Sequence, residues 1–418
     1  MRVTRIKGFA DVLPGEVETW QFAEEKARQV FTAYHFSEIR IPILEKTELF
    51  RRSIGDATDI VEKEMYTFPD QDAEATSITL RPEATAGVAR AYVESGMHQI
   101  EPVRRLFYMG PMFRRERPQK GRLRQFYQIG AELLGRSDPA ADAEILLLLA
   151  DYFESLRLER LQLELNSLGD VRCRPVYRAS LLEYLRAHQE ALCENCRRRM
   201  ERNPLRVLDC KEPSCVKVAA RAPSILSFLC TDCEAHFAAV QQFLREAGLD
   251  YQLRPSLVRG LDYYCRTTFE WTSAGLGSQN AVAAGGRYDG LVEDLGGPPT
   301  PGVGFALGLE RLALLVGRPD EAASARPDLY VVWLGEPARR WAFPVVHRLR
   351  RNGFIVAMEG EGRSLKSQMR RADKLRALHT LIVGENEMKS GQAILRKMDS
   401  KEQTEVALDQ VERALDGR

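Results

Sequence analysis

Long apolar runs are missing from this sequence, and so is any excess of charge of one sign. No stretch approaches the ~20 apolar residues that a membrane-spanning helix needs, so a helical membrane protein is excluded and no membrane partner is expected. Lys and Arg number 60 against 59 Asp and Glu, a net charge of +1. A nucleic-acid partner is therefore not announced by bulk charge and must be met by local basic patches. The opening MRVTRIKGFADVLPGE lacks the apolar core of a signal peptide. We therefore expect a cytoplasmic protein whose eight cysteines are thiols or metal ligands, not disulfides. His35, His98, His188, His236, His347 and His379 are scattered without a partner pattern, and none is assigned chemistry. Internal repeats and low-complexity tracts are absent too.

What is present is a globular composition, 44% apolar and 28% charged, on a chain of 418 residues. That length is too great for one ordinary core and predicts two or three domains. Val17, Trp20, Ala23, Ala27, Val30, Phe31 and Tyr34 fall at helical spacing after a turn at Pro14 and Gly15. Residues 37–44 alternate as an extended segment containing Pro42, which cannot donate to a ladder and so belongs at an edge or an interface. Residues 104–116 and 125–135 read as a hairpin with a long basic loop. Residues 140–157 return to helical period. From about 170 to 250 the pattern is helical and rich in Cys, with strand-like, Gly-rich signals resuming at Leu253. A second boundary falls in GRPDEAASARPD, 317–328, beyond which strand and helix alternate as in a small α/β domain.

The hairpin carries the strongest chemical signal. Alternation places Arg114 and Glu116 on one face of its first strand, and Gln128 and Glu132 on one face of the second. Such a polar face is costly to bury without a ligand, although a solvated, salt-bridged face is the bland alternative. The loop adds Arg117, Lys120, Arg122 and Arg124, which suit phosphate oxygens.

The residues of this hairpin, FRRERPQKGRLRQFYQ followed by Glu132, resemble motif 2 of class II aminoacyl-tRNA synthetases in its histidyl form. RIPILEKTELF with Pro42 resembles motif 1, and PGVGFALGLERL, 301–312, resembles motif 3. RGLDYYCRTTFEW, 259–271, and AAGGRYDGL, 283–291, are similar to signatures of the histidyl enzymes. LRPEATAGVARAY, 80–92, is similar to their amino-acid-binding segment, with Ala84 where the family usually has Gly. The chain is thus identified as resembling bacterial-type histidyl-tRNA synthetases nearly end to end. The resemblance implies an α/β (α+β) fold whose catalytic domain is an antiparallel sheet, in two parts, 1–169 and 251–320. It also implies a mainly helical insertion at 170–250 and a C-terminal α/β anticodon-binding domain at 326–418. The implied activity joins L-histidine to tRNA(His) with ATP, and motif 1 implies a homodimer. A related non-catalytic family, the histidine-sensing regulatory subunit of ATP phosphoribosyltransferase, is the alternative. It typically lacks the C-terminal domain and the catalytic arginines that stand here at 114, 259 and 311.

Adenylate chemistry brings negative groups together, so its catalysts must position and neutralise. By resemblance Arg114 and Arg259 hold the histidine carboxylate and the α-phosphate from two sides, and Arg122 and Arg311 serve the polyphosphate and adenine. Glu116 faces adenine or the magnesium ion that accompanies ATP. The resemblance gives Glu83, Ala84, Thr85 and Gln128 to histidine binding, the α-ammonium being met by Glu83, Thr85 and Gln128. Glu132 accepts from the imidazole N–H and the Tyr264 hydroxyl meets the other ring nitrogen. Tyr263 and Tyr264 point oppositely if their segment is a strand, and core packing is an equal reading for Tyr263. Arg117 and Gln119 are placed against the tRNA acceptor end. Gly285, Gly286, Gly302, Gly304 and Gly308 are expected to let backbone approach the ligand.

The spacing Cys193-x2-Cys196 and Cys230-x2-Cys233 is that of a four-thiolate zinc site. Cys210 and Cys215 offer a third pair, so the ligand set stays open, and small buried thiols are the other reading. The resemblance gives the metal no support. Arg202, Arg206 and the run at 197–199 read equally as a tRNA-facing patch or a solvated basic helix. Lys366, Arg370, Arg371, Lys374 and Arg376 concentrate positive charge on one C-terminal helix suited to phosphate contacts.

Overall fold

Ala23, Ala27 and Phe31 recur at helical spacing and are fully buried, which gives one amphipathic helix, α1 (Val17–Ala33). The computed structural model describes residues 3–55, 58–70, 76–119, 121–277, 280–317, 326–359 and 364–416. Lys120 and residues 318–325 of the expected linker lie outside the described residues. The chain divides into two units, Met1–Pro319 and Asp320–Arg418.

After α1 come β1 (Ser37–Glu38), β2 (Leu44–Lys46), α2 (Thr47–Ile54) and a short π-helical turn at Ile60–Glu64. β3 (Tyr66–Pro69), β4 (Ser77–Leu80), α3 (Thr85–Glu94) and α4 (Met97–Ile100) follow. The long hairpin is β5 (Arg104–Phe113) and β6 (Gln125–Leu134), leading to α5 (Pro139–Ser155) and β7 (Leu161–Ser167). Four helices come next: α6 (Arg174–Ala187), α7 (Glu194–Met200), α8 (Pro213–Ala219) and α9 (Thr231–Glu246). The unit closes with β8 (Gln252–Leu253), β9 (Cys265–Ser273), β10 (Ala281–Arg287), α10 (Leu291–Asp294), β11 (Gly302–Gly308) and α11 (Leu309–Val316).

Eight strands form one sheet in the order β1-β5-β6-β11-β10-β9-β7-β8, antiparallel from β5 to β7. β1 is an edge strand, and Pro42 lies in the irregular stretch after it, as a residue without an N–H requires. One face of the sheet is large and apolar: Phe107, Ile129, Leu133, Leu165, Phe269, Trp271 and Phe305 pack beneath α1, α5 and α9. β2, β4 and β3 make a separate three-stranded antiparallel sheet.

Tyr177, Leu181, Leu185, Met200, Val207 and Ile225 form a small core of their own under α6 to α8. α9 behaves differently: its Phe237, Val240 and Leu244 join the main core beside Tyr152.

The second unit contains β12 (Leu329–Trp333), α12 (Glu336–Arg351), β13 (Val356–Ala357), α13 (Leu365–Lys374), β14 (His379–Val383), α14 (Glu385–Ser390), β15 (Gln392–Lys397), β16 (Gln403–Ala407) and α15 (Val411–Asp416). Its sheet runs β13-β12-β14-β15-β16, with β13, β12 and β14 parallel and the last two strands antiparallel. The strand–helix alternation read from residue 328 onward is the parallel half of this sheet.

Candidate functional site

Alternation along the central strands decides where a ligand can lie. Ile129, Ala131 and Leu133 of β6, and Phe305 and Leu307 of β11, enter the core. The intervening residues on the other face are small in the middle of the sheet: Gly130, Gly304, Ala306 and Ala284. Polar side chains rise around that low floor and enclose a cleft of about 390 Å³. Glu83, Thr85, Arg114, Glu116, Arg122, Gln128, Arg259, Tyr263, Tyr264 and Arg311 all line it. Residues nearly 230 positions apart in sequence thus meet on one surface.

Each cation is held by a partner from the protein. Arg114 Nε donates to the Pro82 carbonyl at 2.8 Å, and its guanidinium lies 5.3 Å from the Phe126 ring centroid. Burial lowers its pKa, a pull that the Glu64 and Glu83 carboxylates oppose. Arg259 pairs with Glu270 at 2.6 Å, while Arg122 pairs with Glu116. Arg311 donates to the Gly121 and Ala281 carbonyls at 3.1 and 2.9 Å. Among the described residues, Gln128 Oε1 and Arg259 Nε are buried without a hydrogen-bond partner. Such groups carry a desolvation cost that a ligand could relieve.

Glu83 accepts the backbone N–H groups of Thr85 and Ala86 at 2.7 and 3.0 Å, so it ties down the first turn of α3. Burial raises its pKa, and those two N–H donors oppose the shift. Glu132 stands one layer behind the cleft wall, 1% exposed, accepting from Thr85 Oγ1 at 2.6 Å and from the Tyr288 hydroxyl. Burial raises its carboxyl to about 8 even though both hydroxyl donors pull the other way. Burial likewise raises Tyr264 to about 12.

Several expectations need correction. β5 ends at Phe113, so Arg114 and Glu116 reach the cleft from the loop, not from a shared strand face. Tyr263 and Tyr264 precede β9 in a turn and therefore do not diverge; their rings lie 4.6 Å apart and both line the cleft. Ala84 does not face the cleft: it is fully buried against Val88, Leu106 and Met112. Its φ of −111° is open to any residue, so the missing glycine imposes no strain. Arg124 donates to the Glu116 carbonyl and its own N–H to the Gly8 carbonyl at 2.8 Å, which makes it a brace for the N-terminal segment. The glycines mostly make room for protein, not ligand. A Cβ at Gly304 would fall 1.8 Å from Glu132 Oε2, and one at Gly302 would strike Tyr288, whereas Gly308 alone of the five meets nothing.

Arg117 and Gln119 are exposed and outside the cleft, in the tight turn where Gln119 and Arg122 exchange backbone hydrogen bonds of 3.0 and 2.9 Å. Much of the basic run near 200 is engaged internally: Arg199 pairs with Asp59 at 2.7 Å and Arg206 donates to the Gly260 carbonyl at 2.6 Å. The two Cys-x2-Cys pairs do not share a site. Cys193 and Cys196 meet Cys210 and Cys215, while Cys230 and Cys233 meet Cys173 and Asp170. On α13, Arg371 pairs with Glu359 at 2.7 Å and Lys366, Arg370 and Lys374 are exposed, whereas Arg376 lies past the helix end at φ 55° and is not part of it.

Sequence reasoning missed Asp209, Lys211, Glu270 and Glu310 on the cleft wall, and Tyr288 behind it. Glu270 was readable, since in TTFEW it alternates with the core residues Phe269 and Trp271. Asp209 carried no signal, because only the tertiary fold brings its loop there. Burial raises Glu310 to about 7.

The histidyl-tRNA synthetase family model matches residues 8–312, and that of an anticodon-binding domain matches 328–418. The histidine–tRNA ligase of Geobacter sulfurreducens is 56% identical over 406 residues, 97% of each chain. That of Syntrophotalea carbinolica is 53% identical over 99% of this chain and 98% of its own length. The crystal structure of apo S. aureus histidyl-tRNA synthetase superposes with a TM-score of 0.81 at 34% identity, covering 99% of this chain and all of that one.

Proposed function

The chain belongs to the histidyl-tRNA synthetase family, and from that premise we propose how its cleft carries out the two half-reactions of a histidine–tRNA ligase. The activity itself is the formation of histidyl-adenylate and pyrophosphate from L-histidine and ATP, then transfer of histidine to the 3′-terminal adenosine of tRNA(His). The observation that carries the proposal is the convergence of Arg114, Arg259 and Arg311 with Glu83, Thr85, Gln128 and Tyr264 over a floor of glycine and alanine.

Histidine lies with its α-ammonium toward the unpartnered Gln128 Oε1 and the Glu83 and Thr85 oxygens, which only accept from such a donor. Its ring meets the Tyr264 hydroxyl on one side. On the other side the ring N–H must reach below the wall to Glu132, as a further donor beside the Thr85 and Tyr288 hydroxyls that hold that group in place. The substrate carboxylate then sits between Arg114 and Arg259. Its oxygen attacks the α-phosphorus, the bond to the β-phosphate oxygen breaks, and pyrophosphate leaves. The two guanidiniums face the charge that grows on the α-phosphoryl oxygens, where fixed cations in a buried site act most strongly. Arg122 and Arg311 hold the polyphosphate and the adenine face. In the second half-reaction a ribose hydroxyl of the terminal adenosine attacks the adenylate carbonyl and AMP departs.

Glu116 and Glu310 give the cleft the hard oxygen donors that suit magnesium, which takes one or two carboxylates with phosphate oxygens. When bound, the ion would neutralise polyphosphate charge. Arg117 and Gln119, exposed beside the cleft loop, are proposed to meet the acceptor end, and the basic face of α13 the anticodon arm. A homodimer and a cytoplasmic setting belong to the same proposal; no described helix is long and apolar enough to cross a membrane. The regulatory-subunit alternative is disfavoured by the three cleft arginines and by the anticodon-binding domain at 328–418. ATP–pyrophosphate exchange with each amino acid in turn tests the reading. Exchange should depend on L-histidine alone, and exchange supported equally by other amino acids would reject the assigned pocket.

A further inference from the structure

Seven of the eight cysteines gather in two groups that the aminoacylation chemistry does not use. In the first, Cys193, Cys196, Cys210 and Cys215 bring all four sulfurs within 4.8 Å of one another. In the second, Cys173, Cys230 and Cys233 do the same with a carboxylate oxygen of Asp170. A tetrahedral zinc ion with bonds of ~2.3 Å to sulfur sets its ligands about 3.8 Å apart. Cys193 Sγ and Cys210 Sγ lie 3.9 Å apart, far beyond a disulfide bond, and all eight cysteines are free.

The two groups are built alike. Each Cys-x2-Cys opens a helix, with its first cysteine as the N-cap: Cys193 at φ −64°, ψ 159° before α7, and Cys230 at φ −72°, ψ 161° before α9. In each, the N–H of that leading cysteine points at a third thiol, Cys193 N to Cys215 Sγ at 3.2 Å and Cys230 N to Cys173 Sγ at 3.1 Å. N–H donors to sulfur are the kind of outer contacts that fix metal ligands. Apolar packing of small thiols accounts for the burial of Cys196, Cys215 and Cys233. Arg172 pairs with Asp170 Oδ2 at 2.6 Å, yet that pair does not account for Asp170 Oδ1 lying 3.5 Å from Cys173 Sγ among three sulfurs, nor does thiol packing account for the same backbone knuckle twice.

We propose that the chain holds two structural zinc ions, one on Cys193, Cys196, Cys210 and Cys215 and one on Asp170, Cys173, Cys230 and Cys233. Four protein donors close each tetrahedron and leave no position for substrate, which makes the ions structural. Close convergence on one point suits a single ion, whereas an iron–sulfur cluster spreads its cysteines over several irons. The first ion fixes Cys210 between Asp209 and Lys211, both on the cleft wall. The second joins the turn after β7 to the start of α9, and so ties the helical segment to the main core.

The test is metal analysis of the full chain, purified without a histidine tag or chelator, with zinc also released by a mercurial thiol reagent into a chromophoric chelator. Two zinc per chain are expected, one after Cys196→Ser and one after Cys233→Ser, with Asp170→Cys keeping two. Cobalt grown into the chain should show thiolate charge-transfer and tetrahedral ligand-field bands. Zinc near zero, or two zinc unchanged in both serine variants, would overturn the proposal. One zinc lost only with Cys196→Ser would overturn the Asp170 site, and iron in its place would overturn the choice of metal. The mercurial release uses the unaltered chain, so a variant that fails to fold leaves the count decisive.

Discussion

Thr85 Oγ1 donates to Glu132 Oε1 across 2.6 Å, which ties the first turn of α3 to the strand that carries Gln128. The carboxylate is thereby fixed by the same residues that wall the histidine pocket. Glu132→Gln should raise the Michaelis constant for histidine at least about tenfold and leave that for ATP nearly unchanged, because the amide cannot ionise to accept the ring N–H as the carboxyl can. Unchanged histidine kinetics would remove Glu132 from ring recognition.

The same residue predicts a pH dependence. Burial lifts its carboxyl from 4.5 to about 8, so the folded chain binds this proton more tightly than the unfolded chain does. That contribution is complete below pH 4.5 and is lost as pH rises through about 8. Without ligands, the stability of the chain should fall over this window, by an amount on the order of a few kcal/mol. Glu132→Gln should flatten the curve; denaturant melts at matched ionic strength are the check, and parallel profiles would contradict it.

Arg259→His should nearly abolish adenylate formation and leave equilibrium histidine binding largely intact, since its charge matters most as phosphoryl charge develops. Its partner Glu270 holds the guanidinium at 2.6 Å, so Glu270→Gln should give a smaller loss in the same step. Rapid-quench measurement of the adenylate separates the two. Wild-type rates in the Arg259 variant would exclude it from the step.

Behind the cleft, Arg287 and Asp142 form an ion pair with both side chains fully buried, and Thr267 Oγ1 donates to Asp142 at 2.5 Å. Removing Asp142 leaves the buried Arg287 with Asp289, 3.0 Å away and partly exposed, as its counter-charge. Asp142→Ala should destabilise the chain by about 3–5 kcal/mol, and the double variant with Arg287→Met should be less destabilised than the single. A double variant worse than the sum of the two singles would contradict this account.

For tRNA, Arg117→Ala with Gln119→Ala should slow transfer from preformed adenylate much more than ATP–pyrophosphate exchange. Neutralising Arg370 and Lys374, exposed on α13, should instead raise the tRNA Michaelis constant and flatten its salt dependence. Normal transfer by the loop variant at saturating tRNA would leave that loop to ATP alone.

Pro42, Ile43 and Leu44 are exposed on the segment that Arg81 pins by donating to the Ile41 carbonyl at 2.8 Å. A rigid apolar edge of this kind suits a two-fold interface. Light scattering should find a dimer, and Ile43→Asp should weaken it; a stable, active monomer would refute the assembly.

Periodicity made α1, α5 and the β5–β6 hairpin legible, because each keeps one continuous apolar face. The polar wall was legible at Arg114 and Gln128 because such groups are costly to bury without a ligand, and at Tyr264 through the family resemblance alone. Three kinds of fact were not. Strand ends depend on hydrogen bonds that sequence does not display, so Arg114 was placed on a strand. Ala84 and Arg124 were read by their neighbours in sequence, and only packing shows that they face inward or backward. The pairing of Cys230 with Cys173 and Asp170 rests on tertiary closure across about sixty residues, which spacing cannot predict.

The strand order also constrains how the chain can be made. β11, the strand between β6 and β10, is nearly the last of its unit in sequence, beginning at Gly302. Until it arrives, the nascent sheet has two halves with facing unpaired edges, the hazard that invites pairing with other chains. A ribosome must therefore deliver most of the first unit before the floor of the cleft exists, and the early half needs shelter meanwhile. Fragments released before residue 302 should be captured by chaperones or aggregate, whereas those extending past α11 should stay in solution.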